Sequence, residues 1–486
     1  MQQINIKKTY GIDVVLVLAP SIMDVTFSNA KSLYKPVEPI GLLYIAASLL
    51  SQGLSVRILD CNAEGLSVSQ SVSKIQEIDP FILGISCLTQ EAFMVEALLV
   101  KVRQALPNTI IVMGNIHSSC FPEYYLSKGI ADMIMLGEGE AAFPQLVKYL
   151  KKGDYPDTLE GLVYLDDNNK LIKNEPKPID NLDSLPFPAW HLVDLKKYKY
   201  HFYYHFNPKV TRNMVTSRGC PIGCSFCTIH DGQKVRFHSY ERMIEEIDML
   251  MKHYGMRQIM FQDPMFLAKR SRIEGFCDSI LQKNIKIGWA CEVHVNYAKK
   301  DLFKLMKQAG CHTVFYGIET ADDILLKNIG KKSTIEQIEK AVWMAKETGL
   351  NPVGFFMLGL PGETEELTYK TLKFSLKLPL DMAVFSILIP FPGSRLFEEL
   401  KQTDPQFNPY NWNGFNNTGI LGKHPPEWNP KGLPYATLSK IQAMAYRKFN
   451  FRPKMVWRHF KTLKYADMHD IQALINMTLL TLRKRI

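Results

Sequence analysis

Short, continuously apolar runs alternate with longer stretches of helical periodicity, and this alternation restricts the fold more than any other feature of the chain. The runs "DVVLVLA" (13–19), "SVRILD" (55–60), "FILGIS" (81–86), "TIIVMG" (109–114) and "DMIMLG" (132–137) are rich in β-branched and other apolar residues. Between them, "IGLLYIAASLLSQG" and "EAFMVEALLVKVRQALP" repeat apolar residues at helical spacing. A strand that is apolar on both faces must be covered on both. The pattern therefore predicts a parallel sheet between two layers of helices, a doubly wound, Rossmann-like α/β domain over residues 1–150. Such sheets bind ligands outside the carboxyl ends of their strands.

A second series follows: "NMVTS" (213–217), "QIMFQD" (258–263), "IGWACEV" (287–293), "TVFYGIE" (313–319), "PVGFFML" (352–358) and "AVFSILI" (383–389). Helical stretches separate these runs as well. One of them, "STIEQIEKAVWMAKETG", is predicted to open on a Ser333 cap with Glu336 three residues on and to end at Gly349. Six βα units predict a partial (β/α)6 barrel over residues 206–400, with its functional residues at the strand ends. The Pro- and Asp-rich segment 151–205, with "PIDNLDSLPFPAW", reads as a connector, and 401–486 as an irregular, then helical, C-terminal extension.

The 486-residue chain has nine cysteines, and three of them, Cys220, Cys224 and Cys227, stand in "SRGCPIGCSFCTIH", just after the first strand of the second series. The start has no secretory signal, and no run reaches the roughly 18 apolar residues of a membrane span, so a cytoplasmic location is expected. Thiols there stay reduced, and a tight cluster reads as metal-binding or catalytic. Structural zinc takes four ligands, usually as two pairs. His230 or one of the scattered Cys61, Cys87, Cys120, Cys277, Cys291 and Cys311 could supply a fourth, but there is no second pair. An iron–sulfur cubane held by three thiolates keeps one iron open to a reacting group. A non-catalytic metal-binding protein and an enzyme both remain readings at this point.

The Cys-x3-Cys-x2-Cys spacing resembles the signature of the radical S-adenosylmethionine (SAM) superfamily. The resemblance implies a [4Fe-4S] cluster on Cys220, Cys224 and Cys227, with SAM on the open iron, cleaved by one electron to a 5′-deoxyadenosyl radical. It places Phe226 beside the adenine. It implies a contact of Asp263, in "FQDPMF", with the SAM amino group, although Gln262 and Pro264 stand where the family often has a second acid. Glu319, in "FYGIET", matches the position that binds the ribose hydroxyls or the methionyl amine. Gly359 and Gly362, in "GFFMLGLPGETEE", match a turn near the adenine, and "IPFPGSRLFEEL" matches the segment that closes the barrel.

The order of an α/β domain, a connector and this core resembles the cobalamin-binding subfamily. The resemblance is carried by "EPIGLLYIAASLLSQGLSVRILDCNAEG", "MGNIHSSCFPE" and "ADMIMLGEGEAAFPQLV". It implies cobalamin at the carboxyl edge of the first sheet. Candidate contacts are Cys87–Thr89, Gly114–His117 and Gly137–Gly139, with Glu138 and Glu140 at the corrin amides. The D-x-H-x-x-G motif that supplies an axial histidine elsewhere is absent, and the loop "PSIMDVTFSNAKS" has no histidine. His117 is expected to pack the loop or to stand at the corrin's side rather than to bind cobalt. The activity implied is methylation of an unactivated carbon. The alternative is cyclisation or rearrangement of a tetrapyrrole, isoprenoid or other hydrophobic substrate. Either would draw its electron from an external flavodoxin- or ferredoxin-type donor.

The formal net charge is +10, and its excess is concentrated in 441–486, which has ten Lys/Arg against Asp467 and Asp470. A charge excess confined to the tail argues against nucleic acid as the main partner. The tail stretch "AYRKFNFRPKMVWRHFKTLKY" interleaves cations with aromatics. It reads as a helix docked on the barrel, or as a contact for an anionic membrane surface.

Overall fold

The computed structural model describes residues 10–21, 36–198, 210–229, 234–415, 425–462, 471 and 475. The chain divides into two compact units, the first ending at Tyr198. Each apolar run named above becomes a strand.

The first unit is a seven-stranded sheet in the order β2-β1-β3-β4-β5-β6-β7. Its strands are β1 (Ile12–Leu18), β2 (Val56–Asp60), β3 (Pro80–Ser86), β4 (Ile110–Gly114), β5 (Met133–Met135), β6 (Leu162–Leu165) and β7 (Leu171–Lys173). The first five run parallel; β6 and β7 form an antiparallel hairpin on the β5 edge. That hairpin lies within the segment read from sequence as a connector: its short alternating strands extend the sheet. Val14, Val15, Leu16 and Val17 of β1 are at most 2% exposed, as a strand covered on both faces must be. Helices α1 (Ile40–Ser51), α2 (Ala92–Ala105) and α3 (Gly139–Lys152) supply part of the cover, and Leu49, Leu146, Val147 and Leu150 pack into the same core as β1 and β3. The strand order reverses between β1 and β3. The crevice above that point, at the carboxyl ends, is where doubly wound sheets bind ligands.

The second unit is a six-stranded sheet of β8 (Thr211–Met214), β11 (Gln258–Phe261), β12 (Gly288–Glu292), β13 (Cys311–Glu319), β14 (Asn351–Leu358) and β15 (Met382–Ile387), in sequence order and parallel throughout. The edge strands β8 and β15 do not pair, so the sheet is a partial barrel. A separate ribbon pairs β9 (Ser217–Arg218) with β10 (Arg236–Phe237). On one side, Phe261, Phe266, Phe276 and Trp289 meet ring to ring at 4.5–6.4 Å. Such pairs add about 0.5–1.5 kcal/mol each beyond their buried area.

Helix α4 (Tyr240–Tyr254) follows the ribbon, and α5 (Ile335–Glu347) falls within the stretch read as helical from the sequence. The α5 cap is Thr334, not Ser333: Thr334 accepts from the Gln337 N–H, and the Gln337 side chain reaches back to the Thr334 N–H. Two capping boxes overlap one residue apart in "STIEQ", and the chain uses the second. The C-terminal extension supplies α6 (Tyr435–Asn450) and α7 (Pro453–Thr462).

Candidate functional site

The cysteine turn starts three residues beyond β8 and is framed by the β9–β10 ribbon. His230 lies outside the described residues. Cys220, Cys224 and Cys227 are all free thiols and partly exposed. The turn closes on itself, with the Cys227 N–H donating to the Cys224 carbonyl at 3.1 Å. Neighbouring strand-end loops then pin it. The Ser225 N–H donates to the Ile329 carbonyl, and the Ser225 carbonyl accepts from the Leu396 N–H. Arg395 and Lys332 donate to the Gly223 and Pro221 carbonyls, both at 3.0 Å. Burial pushes the Cys224 thiol up to about 11 and the Cys227 thiol upward, while the nearby Lys331 ammonium pulls both down.

Among the described residues no three thiol, imidazole or carboxylate groups converge closely enough to hold one metal ion. In a cubane each thiolate takes its own iron, so the sulfurs stand wider apart than the ligands of one zinc. Three free thiols on one pinned turn, within one another's field and beside a buried cation, fit a cluster of several irons.

Beside the thiols lies a buried ion pair. Lys331 Nζ stands 2.7 Å from Glu319 Oε1, with side chains only 12% and 8% exposed. Glu319 ends β13 with φ of 63°, a conformation rare for a side-chain-bearing residue and concentrated at functional sites. Gly317 explains its own identity: a Cβ there would come within 2.5 Å of both Glu319 Oε1 and Lys331 Nζ. Glu292, at the end of β12, is half-buried. Burial, then Asp263 and Glu319, push its carboxyl up to about 7 against the pull of Lys331. His294 donates from Nε2 to the Lys331 carbonyl at 3.1 Å, and burial holds its pKa down near 4, so the ring is neutral.

Asp263 behaves differently from the expectation of a SAM contact. It is fully buried, and its oxygens are taken up by the Thr216 N–H (2.7 Å), the Thr216 hydroxyl (3.0 Å) and the Ser217 hydroxyl (2.7 Å). Arg272 compensates its charge and also donates to the carbonyls of Thr216 and His238. A carboxylate so engaged holds the strand end from which the cysteine turn springs and offers little to a ligand. Phe226 is half-buried in the turn. Gly359 has φ of 86°, and a Cβ there would meet Leu438 at 2.9 Å; its N–H and that of Leu360 donate to Glu363, the anchor of the "GLPGE" turn that also includes Gly362.

In the first unit, the loops after β3 and β4 meet at the carboxyl edge. His117 is fully buried, its Nδ1 3.2 Å from the Thr89 hydroxyl and its ring packed against Phe121 and Tyr125 at 5.0 and 5.9 Å. Burial drives its pKa down to about 3, which leaves the ring neutral. Glu138, expected at a corrin amide, instead accepts the Ile179 N–H at 2.8 Å. Glu140 is buried, 7% exposed. Gly137 is hemmed in, since a Cβ would meet Pro176 at 2.8 Å, whereas Gly114 is open, its nearest atom 3.8 Å away. This edge exposes the apolar Leu88 (41%) and Phe93 (47%) after β3 and Val37 (54%) in the chain leading into α1, alongside the polar Gln90 and Asn115. An apolar rim with Gly114 and the Asn115 side chain between loops fits a flat, largely apolar macrocycle such as a corrin. Asn115, with φ of 78°, donates to the Ser86 hydroxyl.

Sequence reading missed Lys331 and Glu292. A lysine in "GKKST" looks like a solvated loop residue, and only its position over Gly317 reveals its burial. Asn115, inside the loop Gly114–His117 named from the sequence, has a φ of 78°, a backbone that asparagine tolerates better than most residues.

Comparison with known proteins gives the same partition. Residues 214–375 match the radical SAM superfamily model, and residues 29–147 match the B12 binding domain model. An uncharacterized methyltransferase of Pyrococcus horikoshii is 34% identical over 422 residues, 86% of this chain and 89% of that protein. The anaerobic magnesium-protoporphyrin IX monomethyl ester cyclase of Rubrivivax gelatinosus is 28% identical over 371 residues, 74% of this chain and 66% of that protein. Among solved structures, the radical SAM methyltransferase TsrM from Kitasatospora setae, with cobalamin and a [4Fe-4S] cluster bound, superposes with a TM-score of 0.72 at 14% identity, covering 98% of this chain and 99% of that one. At that identity the likeness is one of fold.

Proposed function

This chain belongs to the radical SAM superfamily, in the group with a B12 binding domain, and from that premise we propose that it methylates an unactivated carbon of a hydrophobic small molecule. The carrying observation is the pinned turn of three free thiols beside the buried Lys331–Glu319 pair. When bound, the [4Fe-4S] cluster supplies the electron that cleaves SAM, and cobalamin supplies the methyl group. The protein's own part is to bind, orient and shield. Cys220, Cys224 and Cys227 would hold the cluster. Lys331 sets a positive charge beside the anionic cluster. Glu292, half-buried at the end of β12, would accept from the SAM ammonium in the role that Asp263 is too engaged to fill. Phe226 and the Gly359–Glu363 turn flank the adenine.

On the first unit, Leu88, Phe93 and Val37 would line an apolar seat for the corrin, and the buried His117 would pack the loop beneath it. Electrons come from an external donor of the flavodoxin or ferredoxin type. The similarity to the R. gelatinosus cyclase supports cyclisation as the second reading. Anaerobic incubation of the reconstituted enzyme with cell extract and CD3-labelled SAM separates the two. Label appearing in a heavier product supports methylation. A product that loses hydrogens and carries no label supports cyclisation and overturns the methyl-transfer reading.

A further inference from the structure

Residues 329–332 follow the short helix Asp323–Asn328 and meet the cysteine turn with backbone and side chains alike. The Ile329 carbonyl accepts from the Ser225 N–H at 2.9 Å, and Lys332 Nζ donates to the Pro221 carbonyl at 3.0 Å. Between them Gly330 passes so close that a Cβ would stand 2.9 Å from the Gly223 carbonyl oxygen. Lys331 brings the buried ammonium that pairs with Glu319. On Cys224 and Cys227 alike that ammonium acts more strongly than the Glu319 carboxylate, so the pair turns its positive end toward the thiols.

This segment has a backbone that must be held. Gly330 and Lys332 both have positive φ, 72° and 54°, and Lys332 carries a side chain in that region. The loop after the neighbouring strand, β12, does the holding. His294 Nε2 donates to the Lys331 carbonyl at 3.1 Å, and Asn296 Nδ2 donates to the Lys332 carbonyl at 2.7 Å. The two partners of His294 fix its tautomer. A carbonyl only accepts, so Nε2 carries the proton, and Nδ1 accepts from the Asn296 N–H at 3.4 Å. His294 is therefore bonded to the backbone of the one residue whose side chain sets a cation beside the cysteines. A cluster gains negative charge on reduction, and a cation held close by favours the reduced state. That attraction weakens as the charge moves away, and a partly buried site screens it little.

We propose that His294 is a positioning residue: by its bond to the Lys331 carbonyl it holds the Lys331 ammonium against the cysteine turn and so raises the reduction potential of the cluster bound there. The proposal rests on the cluster reading given above.

The test is a redox titration followed by electron paramagnetic resonance on the anaerobically reconstituted full chain, with iron content measured alongside. His294→Ala removes the bond, whereas His294→Gln keeps an N–H donor at similar reach. His294→Ala should retain iron and titrate at a lower potential, its ratio of reduced to oxidised cluster falling by roughly tenfold at a fixed poise. His294→Gln should titrate like the parent. Lys331→Met combined with Glu319→Gln, which strands no buried charge, should lower the potential at least as far, and His294→Ala added to that pair should shift it no further. An unmoved potential in His294→Ala would overturn the proposal. Equal shifts in the Ala and Gln variants, or additive shifts in the combined variant, would overturn it too, since His294 would then act by another route. If His294→Ala loses iron, an unmoved potential in the Lys331 and Glu319 pair variant overturns the proposal, and a lowered one with His294→Gln at the parent value supports it. A parent chain that forms no cubane would overturn the cluster reading and this proposal together, whereas a parent cubane with an unmoved His294→Ala potential overturns this proposal alone.

Discussion

At the carboxyl ends of the second sheet, the groups able to do chemistry are the chain's own: three thiols, the buried Lys331–Glu319 pair, the half-buried Glu292 and the neutral His294. At the carboxyl ends of the first sheet, the polar side chains are largely committed inward. His117 is tied to Thr89, Glu138 to the Ile179 backbone, and Asp60 to the Tyr198 hydroxyl at 2.9 Å. That edge turns Leu88, Phe93 and Val37 outward, beside Gln90 and Asn115. The contrast teaches that one sheet end assembles a reactive centre from side chains, while the other prepares a seat for a group that brings its own reactivity.

The sharpest way to break the comparison is to remove the thiols. Replacing Cys220, Cys224 and Cys227 together by Ser should abolish iron binding and 5′-deoxyadenosine release, measured after anaerobic reconstitution, while leaving cobalamin retention on the first unit intact. Retained SAM cleavage would dismantle the ligand assignment.

The buried pair comes next. Lys331→Met strands Glu319 as a buried charge and should cost about 3–5 kcal/mol by thermal or denaturant unfolding. The double change Lys331→Met with Glu319→Gln should recover much of that loss. Equal losses in single and double variants would mean that the two side chains do not depend on each other.

In the first unit, pH is the probe. The folded pKa of His117 lies near 3, below its ordinary 6.5, so the unfolded state binds more protons between these values. The stability this histidine contributes is therefore complete above about pH 6.5 and declines as pH falls, by about 1.4 kcal/mol per pH unit. His117→Asn should remove that component of the acid-side slope and leave cobalamin binding unchanged. Loss of bound cobalamin with the slope intact would make His117 a ligand after all.

Glu138→Gln is the gentlest change. Its amide oxygen can still accept the Ile179 N–H, so stability should fall by less than about 1 kcal/mol and cobalamin affinity should hold. A large drop in affinity would restore Glu138 to the corrin.

Much of this was legible beforehand, because the legible parts depend on local pattern. Continuous apolar runs had to become covered parallel strands, and three cysteines on a Gly- and Pro-bearing turn had to sit at a strand end. The pinning of that turn by Ile329, Arg395 and Lys332 joins residues more than a hundred positions apart. No periodicity encodes such contacts. Asp263 shows the same limit from the other side: a carboxylate at a strand end looks available until Thr216 and Ser217 fold over it. The Ser333–Thr334 ambiguity is smaller, a choice between two overlapping caps that differ by a fraction of about 1 kcal/mol.

The central claim is that the cysteine turn holds a cubane whose open iron binds SAM. Electron paramagnetic resonance of the anaerobically reconstituted, dithionite-reduced protein, recorded with and without SAM, tests it most directly. The account predicts a reduced-cubane signal whose g-values shift when SAM is added. A cubane signal that ignores SAM, or no cubane signal in a fully folded protein, would contradict it.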